Sequence, residues 1–128
     1  MTEDGKGVVP IGKVVGLVGH FEQDMIAQVK AVLPASFSLC IIESLDQQEE
    51  LSKINYMITR LMQIDHNVID SASQLKLIQR WGAGYDKVDV AYATKKGIPV
   101  LIANGINAIS VSEHAVLLML AVLRRLTE

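Results

Sequence analysis

The sequence predicts a three-layer α/β domain, in which helices cover both faces of a five-stranded parallel sheet. Short, β-branched apolar segments alternate with segments whose apolar residues recur at helical spacing, which is the pattern of repeated βαβ units. The first apolar segment, 14–18 (VVGLV), contains no polar residue, as expected of a central strand covered on both faces. Because crossovers between parallel strands are right-handed, we expect a flavodoxin-like fold with the strand order 2-1-3-4-5.

Each helix and strand of this fold has a signal in the sequence. Pro34 ends the first helix, since proline lacks the N–H group that a helix interior requires. Asp46, with Glu49 three residues later, has the spacing of a capping box at the start of the second helix. Gly97 suits the left-handed position after the fourth helix. The strands are expected at 14–18, 36–42, 55–59, 75–79 and 98–103, and the helices at 21–33, 46–54, 67–73 (a turn or short helix), 89–96 and 110–126.

The last predicted helix contains the most hydrophobic stretch of the chain. Mean hydropathy is +0.31, and the excess lies at 115–123 (AVLLMLAVL), which carries no charge. A membrane-spanning helix needs about 20 such residues, so we expect a helix that is buried on more than one side rather than one in a membrane. Ser110 and Glu113 have the spacing of a capping box at its start.

Composition excludes several classes of protein. Lysine and arginine number 12 against 14 acidic residues, the formal charge is -2 and the pI is about 5.9. A nucleic-acid-binding domain would instead carry a basic stripe. The single Cys40 leaves no partner for a disulfide or a cysteine-based metal site. Residues 1–12 lack the apolar core of a signal peptide, so we expect a flexible lead-in and a cytoplasmic protein without nucleic-acid or membrane partners.

The loops beyond the carboxyl ends of the strands are the candidate sites, because ligands of such sheets bind there. After the first strand, Gly16 and Gly19 stand three residues apart, which is not the G-x-G-x-x-G of a dinucleotide site. A tight turn explains Gly19 better. After the third strand, Arg60 is suited to bind a carboxylate or a phosphate. The alternative is a solvated arginine paired with Asp65.

The loops after the fourth and fifth strands are further candidates. Gly82 and Gly84 flank Ala83, and such a loop allows backbone N–H groups to approach an anion closely. The alternative is a simple turn that Asp86 caps. Asn107 has no part in the predicted capping box and is free to contact a ligand. No Ser-His-Asp set, HExxH motif, P-loop or carboxylate pair stands out, so these residues define a loop-built pocket without a complete catalytic set.

Several motifs occur in order over the last part of the chain. Residues 75–78 read LKLI, 82–89 GAGYDKVD, 97–100 GIPV and 107–114 NAISVSEH, followed by an apolar helix that ends in arginine. This segment resembles the D-isomer-specific 2-hydroxyacid dehydrogenase family, which includes phosphoglycerate, glyoxylate/hydroxypyruvate and formate dehydrogenases. The resemblance implies an oxidoreductase that interconverts 2-hydroxy acids and 2-oxo acids by hydride transfer with NAD or NADP.

The resemblance also implies how the chain is divided. Residues 13–104 correspond to the substrate-binding domain, and 105–128 to the loop and connecting helix that lead to an NAD-binding Rossmann domain, which we expect beyond this chain. The family's catalytic arginine, glutamate and histidine are expected there as well, so Glu113 and His114 are not these residues. We therefore expect this chain alone to be inactive and to bind NAD poorly.

The family's site residues carry over by position. The resemblance places the substrate beside Arg60, Ala83, Gly84, Tyr85 and Asn107. It places the nicotinamide beside Ala83, Ser110 and Val111, and it implies no metal. The implied partners are a small 2-hydroxy or 2-oxo acid, the absent Rossmann domain and a second copy of the chain, which forms a homodimer through the last helix.

Two other functions stay open. One is a stand-alone binding or regulatory module that kept the fold and lost the chemistry. The other is a flavodoxin- or receiver-like signalling domain, although no acidic pair or Ser/Thr-rich phosphate loop follows the first strand. A reading frame that continues past Glu128 into a G-x-G-x-x-G motif would favour the enzyme, and a native stop codon there would favour the module.

Overall fold

A computed structural model of the chain describes residues 13–126. In these residues five strands alternate with five helices, as the sequence predicts. The predicted lead-in, 1–12, lies outside the described residues. In chain order the elements are β1 (Val14–Val18), α1 (Gln23–Val32), β2 (Ser38–Ile42), α2 (Gln48–Lys53), β3 (Tyr56–Thr59), α3 (His66–Ser71), β4 (Leu77–Arg80), α4 (Val90–Lys95), β5 (Val100–Leu101) and α5 (Ala108–Leu123).

All five strands are parallel and lie in the order β2-β1-β3-β4-β5. In the register, Val15 stands beside Leu39 of β2 and Tyr56 of β3, and Tyr56 in turn stands beside Leu77 of β4. The predicted fifth strand, 98–103, is shorter in the structure. β5 is the last strand of the sheet and pairs with β4 over two residues. The flavodoxin-like fold class and the strand order are confirmed.

The two faces of the sheet are covered unequally by the residues that the structure describes. Side chains alternate along a strand, so Leu17 and Val18 of β1 point to opposite faces. Val18 belongs to the larger buried cluster, which includes residues of α2, α3 and α4. Leu17 belongs to a smaller cluster with Ile26 and Val29 of α1. Three helices therefore cover one face of the sheet, and α1 packs on the other.

α5 differs from the other helices, because none of its residues is buried. Its leucines are more than half exposed, from 51% at Leu120 to 77% at Leu123. The expectation of a helix buried on more than one side is therefore wrong for the described residues, since the chain leaves the sheet after Asn107 and α5 extends without cover. Within residues 13–126, no helix is both long enough and apolar enough to cross a bilayer.

The capping box predicted at Asp46 is wrong, because a different side chain organises the start of α2. The helix begins at Gln48, and no side chain caps it. The Gln47 side-chain oxygen instead accepts the backbone N–H groups of Glu43 and Ser44, at 3.0 and 3.1 Å. The Asp46 carboxylate accepts the Ser44 hydroxyl at 3.2 Å. The side chains of Asp46 and Gln47 therefore stabilise the loop before α2 rather than the helix itself.

One predicted helix start is wrong and one predicted helix end is confirmed. α5 begins at Ala108, so Ser110 and Glu113 lie inside the helix and do not form a capping box around its first residue. Its N-cap residue is Asn107, whose side chain makes no capping bond. Gly97 follows the end of α4 at φ +73°, the left-handed conformation that the sequence predicts for this position.

Candidate functional site

Three loops leave the carboxyl ends of neighbouring strands on the same edge of the sheet. Residues 60–65 follow β3, residues 81–89 follow β4, and residues 102–107 follow β5. This edge is where ligands of parallel α/β sheets bind. It carries the substrate contacts that the sequence predicts, namely Arg60, Ala83, Gly84, Tyr85 and Asn107.

The first two loops are joined directly to each other. Ile64 and Val88 form an isolated parallel bridge. The Ile64 N–H donates to the Lys87 carbonyl at 2.8 Å, and the Asp89 N–H donates to the Ile64 carbonyl at 2.9 Å. The Lys87 side chain adds a bond from Nζ to the Leu61 carbonyl at 3.0 Å. The loop that carries Arg60 is thereby held against the second loop, residues 81–89, which we call the glycine-rich loop.

Arg60 is half-buried, and its guanidinium has no acidic partner in residues 13–126. Its Nη1 lies 3.7 Å from Met25 Sδ, a weak acceptor. The alternative pairing with Asp65 is wrong, because that carboxylate caps α3 and accepts the Val68 N–H at 3.1 Å. The same bond lowers the pKa of Asp65. The charge of Arg60 is therefore not neutralised by a described carboxylate.

The glycine-rich loop presents unpaired backbone donors. Within residues 13–126, the N–H groups of Ala83 and Gly84 donate to no protein acceptor. Gly82 has φ +138°, a backbone conformation that favours glycine. Gly84 is not in the left-handed region, so its backbone conformation does not require glycine. Asp86 accepts no hydrogen bond from the described residues, which removes the alternative of a turn capped by this side chain. The loop fits an anion-binding arrangement of N–H groups.

The sequence analysis missed Arg80, which organises the base of this loop. Its Nη1 donates to the Trp81 carbonyl at 2.9 Å and to the Thr59 carbonyl at 3.3 Å. The Trp81 N–H donates to the same Thr59 carbonyl at 2.8 Å, and its ring packs edge-on against Phe21 at 5.6 Å. No spacing in the sequence marks this role, because only the folded chain brings the Thr59 carbonyl near the guanidinium.

A cavity of about 550 Å³ lies beside this loop, between α1 and the sheet. Its lining is mainly apolar and includes Val29, Ile58, Trp81 and Ile106, together with Arg80. It lies on the face of the sheet on which α1 is the one described helix. The cavity therefore reflects incomplete cover of that face by residues 13–126.

The third loop carries the remaining predicted residues. The Ala103 N–H donates to the Gly82 carbonyl at 3.0 Å, which ties this loop to the glycine-rich loop. Asn107, Ser110 and Val111 follow and are all exposed. In the described part of the chain, no hydrogen bond links these three side chains to the first two loops. The structure thus joins the loop of Arg60 to the glycine-rich loop and leaves the start of α5 open.

The residues typical of acid–base or metal chemistry are dispersed. His20 follows β1 and lies 3.2 Å from Glu22, His66 begins α3 and stacks edge-on against Tyr92, and His114 is exposed on α5. Among residues 13–126, no three potential metal ligands come together. The described edge of the sheet therefore offers unpaired backbone N–H groups and an arginine rather than a cluster of acid–base or metal-binding side chains.

The parallel pairing of the strands and their order, with helices between them, define a domain of the doubly wound α/β class. Residues 18–124 match the family model described as D-isomer specific 2-hydroxyacid dehydrogenase, catalytic domain. This match covers most of the chain, and so the chain belongs to the D-isomer specific 2-hydroxyacid dehydrogenase family. The resemblance inferred from the motifs is confirmed.

Relatives from this family agree in sequence and in fold. D-3-phosphoglycerate dehydrogenase of Archaeoglobus fulgidus is 41% identical over 80 residues, which are 62% of this chain and 15% of that protein. The structure of D-lactate dehydrogenase from Aquifex aeolicus complexed with NAD and lactic acid has a TM-score of 0.76 at 25% identity, and covers 88% of this chain and 34% of that one.

A second solved structure agrees to a similar extent. NAD-dependent formate dehydrogenase from Staphylococcus aureus, in complex with NAD, has a TM-score of 0.74 at 26% identity. The similarity covers 91% of this chain and 40% of that one. The chain thus spans less than half of the length of each of these three relatives.

Proposed function

We propose that this chain is the substrate-binding part of an NAD(P)-dependent oxidoreductase that interconverts 2-hydroxy acids and 2-oxo acids by hydride transfer. One observation carries the proposal: the unpaired N–H groups of Ala83 and Gly84 lie in a loop that is joined to the loop of the unneutralised Arg60. Membership of the family supports the reaction class. The named relatives, which act on or bind small hydroxy acids and NAD, support the substrate and cofactor.

In this proposal each of the predicted substrate contacts has a role in binding. The N–H groups of Ala83 and Gly84 donate to the substrate carboxylate, because backbone donors in such loops bind anions. Arg60 binds a second oxygen-bearing group of the substrate, for which its planar guanidinium is suited. Tyr85, which is 55% exposed, and Asn107 face the bound molecule. These groups orient the substrate and limit its access to water.

The chain provides one edge of a cofactor site. Ser110 makes no side-chain hydrogen bond within the described residues, and Val111 beside it is 57% exposed. A free hydroxyl and an apolar side chain fit the edge of a nicotinamide ring, with Ala83 facing it from the glycine-rich loop. NAD or NADP, when bound, would accept or donate the hydride. No G-x-G-x-x-G occurs in the sequence, so the pyrophosphate is assigned to another domain.

The division of labour follows from these assignments. Residues 13–104 form the substrate-binding domain in this proposal, and 105–128 form the connection to a Rossmann domain that supplies the cofactor site and the catalytic groups. The chain by itself would then bind a substrate anion and catalyse nothing. We also propose that the protein acts in the cytoplasm and that copies pair through α5, whose apolar side chains are exposed.

The binding role is tested with oxalate, a planar analogue of a 2-oxo acid, titrated into the 128-residue chain while amide resonances are recorded. We expect the largest shifts at Ala83 and Gly84. Arg60→Gln should raise the Kd for oxalate about tenfold, since a hydrogen bond to a charged group contributes roughly 1.5–3 kcal/mol. Arg124→Gln, on the exposed end of α5, is the matched control and should leave the Kd unchanged.

Three outcomes would contradict the proposal. Oxalate that shifts amides elsewhere, or that binds Arg60→Gln as tightly as the parent chain, would exclude the assigned site. Oxidation of NADH by the purified chain with glyoxylate or hydroxypyruvate would show that the chain already holds the catalytic groups, against the assigned division of labour.

A further inference from the structure

We propose that Lys87 is a positioning residue, whose side chain holds the loop of Arg60 at a defined place beside the glycine-rich loop. This inference rests on the proposed function, because it concerns how Arg60 is presented to the same anion. The Lys87 ammonium donates to the Leu61 carbonyl at 3.0 Å, across 26 residues of sequence. Leu61 directly follows Arg60, so this bond restrains the backbone next to the guanidinium-bearing residue and ties it to the loop of Lys87.

Lys87 provides the side-chain bond to this part of the loop, beside a small number of backbone bonds. At its start, the Arg60 N–H reaches the Val18 carbonyl at 3.5 Å, a long bond. At its end, Ile64 is held by the bridge to Val88. Between these points no other side chain in residues 13–126 bonds the backbone of 61–63. Within the loop, the Met62 N–H donates to the Arg60 carbonyl and closes a tight turn around Leu61. The Met62 side chain packs against the core. Among the described residues, it is the Lys87 ammonium that joins the Leu61 carbonyl of this turn to the glycine-rich loop.

The fold of the two loops does not depend on this side chain. The Val88 N–H donates to the Tyr85 carbonyl at 3.0 Å, and Ile64 bonds the backbone of Lys87 and Asp89 on both sides of the bridge. All of these bonds use main-chain atoms, which remain when the lysine is replaced. Lys87 is half-buried and belongs to no salt bridge of the described residues. Its replacement should therefore alter the site and leave the domain folded.

Two roles of a lysine at this place are distinguishable. If the ammonium contacted the anion itself, its loss would weaken binding whether or not Arg60 is present. If it acts by positioning Arg60, its loss has an effect only while Arg60 is there. Arginine at position 87 also reaches a carbonyl with N–H donors, whereas methionine keeps the length of the side chain and lacks a donor.

The experiment measures the Kd for oxalate by amide resonances in the 128-residue chain. We expect Lys87→Met to raise the Kd at least fivefold and to broaden the Arg60 Nε–H resonance, while Lys87→Arg stays within twofold of the parent. In an Arg60→Gln background, Lys87→Met should change the Kd less than twofold. Lys76→Met is the matched control, because Lys76 is exposed and precedes β4 at the opposite edge of the sheet. It should behave as the parent.

The possible failures separate the two proposals. A parent chain that does not bind oxalate removes the proposed function and the role of Lys87 with it. A parent that binds, together with Lys87→Met of unchanged Kd, removes only the positioning role. An effect of Lys87→Met that is equally large with and without Arg60 shows direct contact with the anion and also overturns the inference. Thermal unfolding of each variant verifies that the domain is folded.

Discussion

Gly84 is a position at which a side chain would affect the fold and the proposed binding site differently. Its backbone is outside the left-handed region, so the fold accepts a side chain there. An added Cβ would lie 3.2 Å from Asp86 Oδ1, the end of an exposed side chain that is able to move. Beside the free N–H groups, however, a branched side chain would occupy the volume that an anion needs.

We therefore expect Gly84→Val to raise the Kd for oxalate at least tenfold. The free energy of unfolding should change by less than about 1 kcal/mol, as for most exposed substitutions. Amide titration measures the first quantity and denaturant unfolding the second. Gly84→Ala, which adds only the Cβ, is the control and should bind with an intermediate Kd. An unchanged Kd in a folded Gly84→Val chain would remove this loop from the site.

At the scale of single residues, the sequence indicates the loops that carry the proposed binding residues better than it indicates the side chains that support those loops. Arg60, Ala83 and Gly84 are identifiable because they follow predicted strands, where ligands of such sheets bind. Lys87 and Arg80 are not, because each acts on a backbone carbonyl that only the folded chain brings near it, Leu61 in one case and Thr59 in the other. The sequence contains no period or spacing that marks such a contact.

At the scale of elements, α3 and α4 are tied together by an exposed polar cluster. The Asp70 carboxylate accepts the Lys96 ammonium at 2.7 Å and the Tyr92 hydroxyl at 2.8 Å. The bond from Lys96, followed by that from Tyr92, holds the pKa of Asp70 below its ordinary value of 3.8. The bond to Asp70 likewise raises the pKa of Lys96 above 10.5. The cluster therefore stabilises the contact of the two helices when Asp70 is ionised, Lys96 is protonated and the Tyr92 hydroxyl keeps its proton.

The sign of the pH dependence follows from these directions. Asp70, with a lowered pKa, contributes stability above pH 3.8 and loses it as the pH falls through its folded pKa. Lys96, with a raised pKa, contributes below pH 10.5 and loses it as the pH rises through its folded pKa. We expect Asp70→Asn to lower the Tm modestly between these limits, because the groups are exposed to solvent.

Thermal unfolding of the parent and Asp70→Asn across pH checks this expectation. The difference in Tm should be constant near neutral pH and shrink as the pH falls through the lowered pKa of Asp70 or rises through the raised pKa of Lys96. Asp86→Asn is the matched control, since Asp86 bonds none of the described residues. A difference between parent and Asp70→Asn that persists at the lowest pH would mean that the carboxylate is not the stabilising group.

The order of elements is predictable from the sequence, and their ends are less so. Alternating apolar segments identify all five strands because a buried parallel strand leaves a continuous apolar run. Gly97 marks the end of α4 because the position requires a left-handed backbone. The start of α2 is missed because Gln47, rather than Asp46, makes the local bonds. Which of two adjacent polar side chains makes these bonds is decided only by the geometry of the folded loop.

At the scale of the whole molecule, apolar surface remains uncovered on two parts of the chain. One is the sheet face beside α1, with its cavity of about 550 Å³, where Leu101 of β5 is 47% exposed. The other is α5, whose apolar side chains are exposed around the helix. The sequence reveals that α5 is apolar, and such a helix is ordinarily buried. The sequence does not reveal which surface covers α5, because no part of residues 13–126 buries any residue of this helix.

We expect the isolated chain to form a dimer through α5. Leaving four leucine-sized side chains in water forgoes roughly 6–12 kcal/mol of burial, which is comparable with the stability of a whole domain. A symmetric pair of helices would recover this burial. Leu117 and Leu120 lie one helical turn apart and border the same shallow depression, so they define the face on which a second copy of α5 would pack most closely.

Light scattering at micromolar concentration measures the mass of the parent and of Leu117→Lys/Leu120→Lys. The parent should have twice the chain mass of 14.0 kDa, and the double variant should be a monomer with an unchanged unfolding transition, because α5 has no residue buried against its own domain. Ser110→Lys, at the exposed start of the helix, is the control and should remain a dimer. A parent of 14.0 kDa, or a double variant that stays dimeric, would show that α5 does not join the copies.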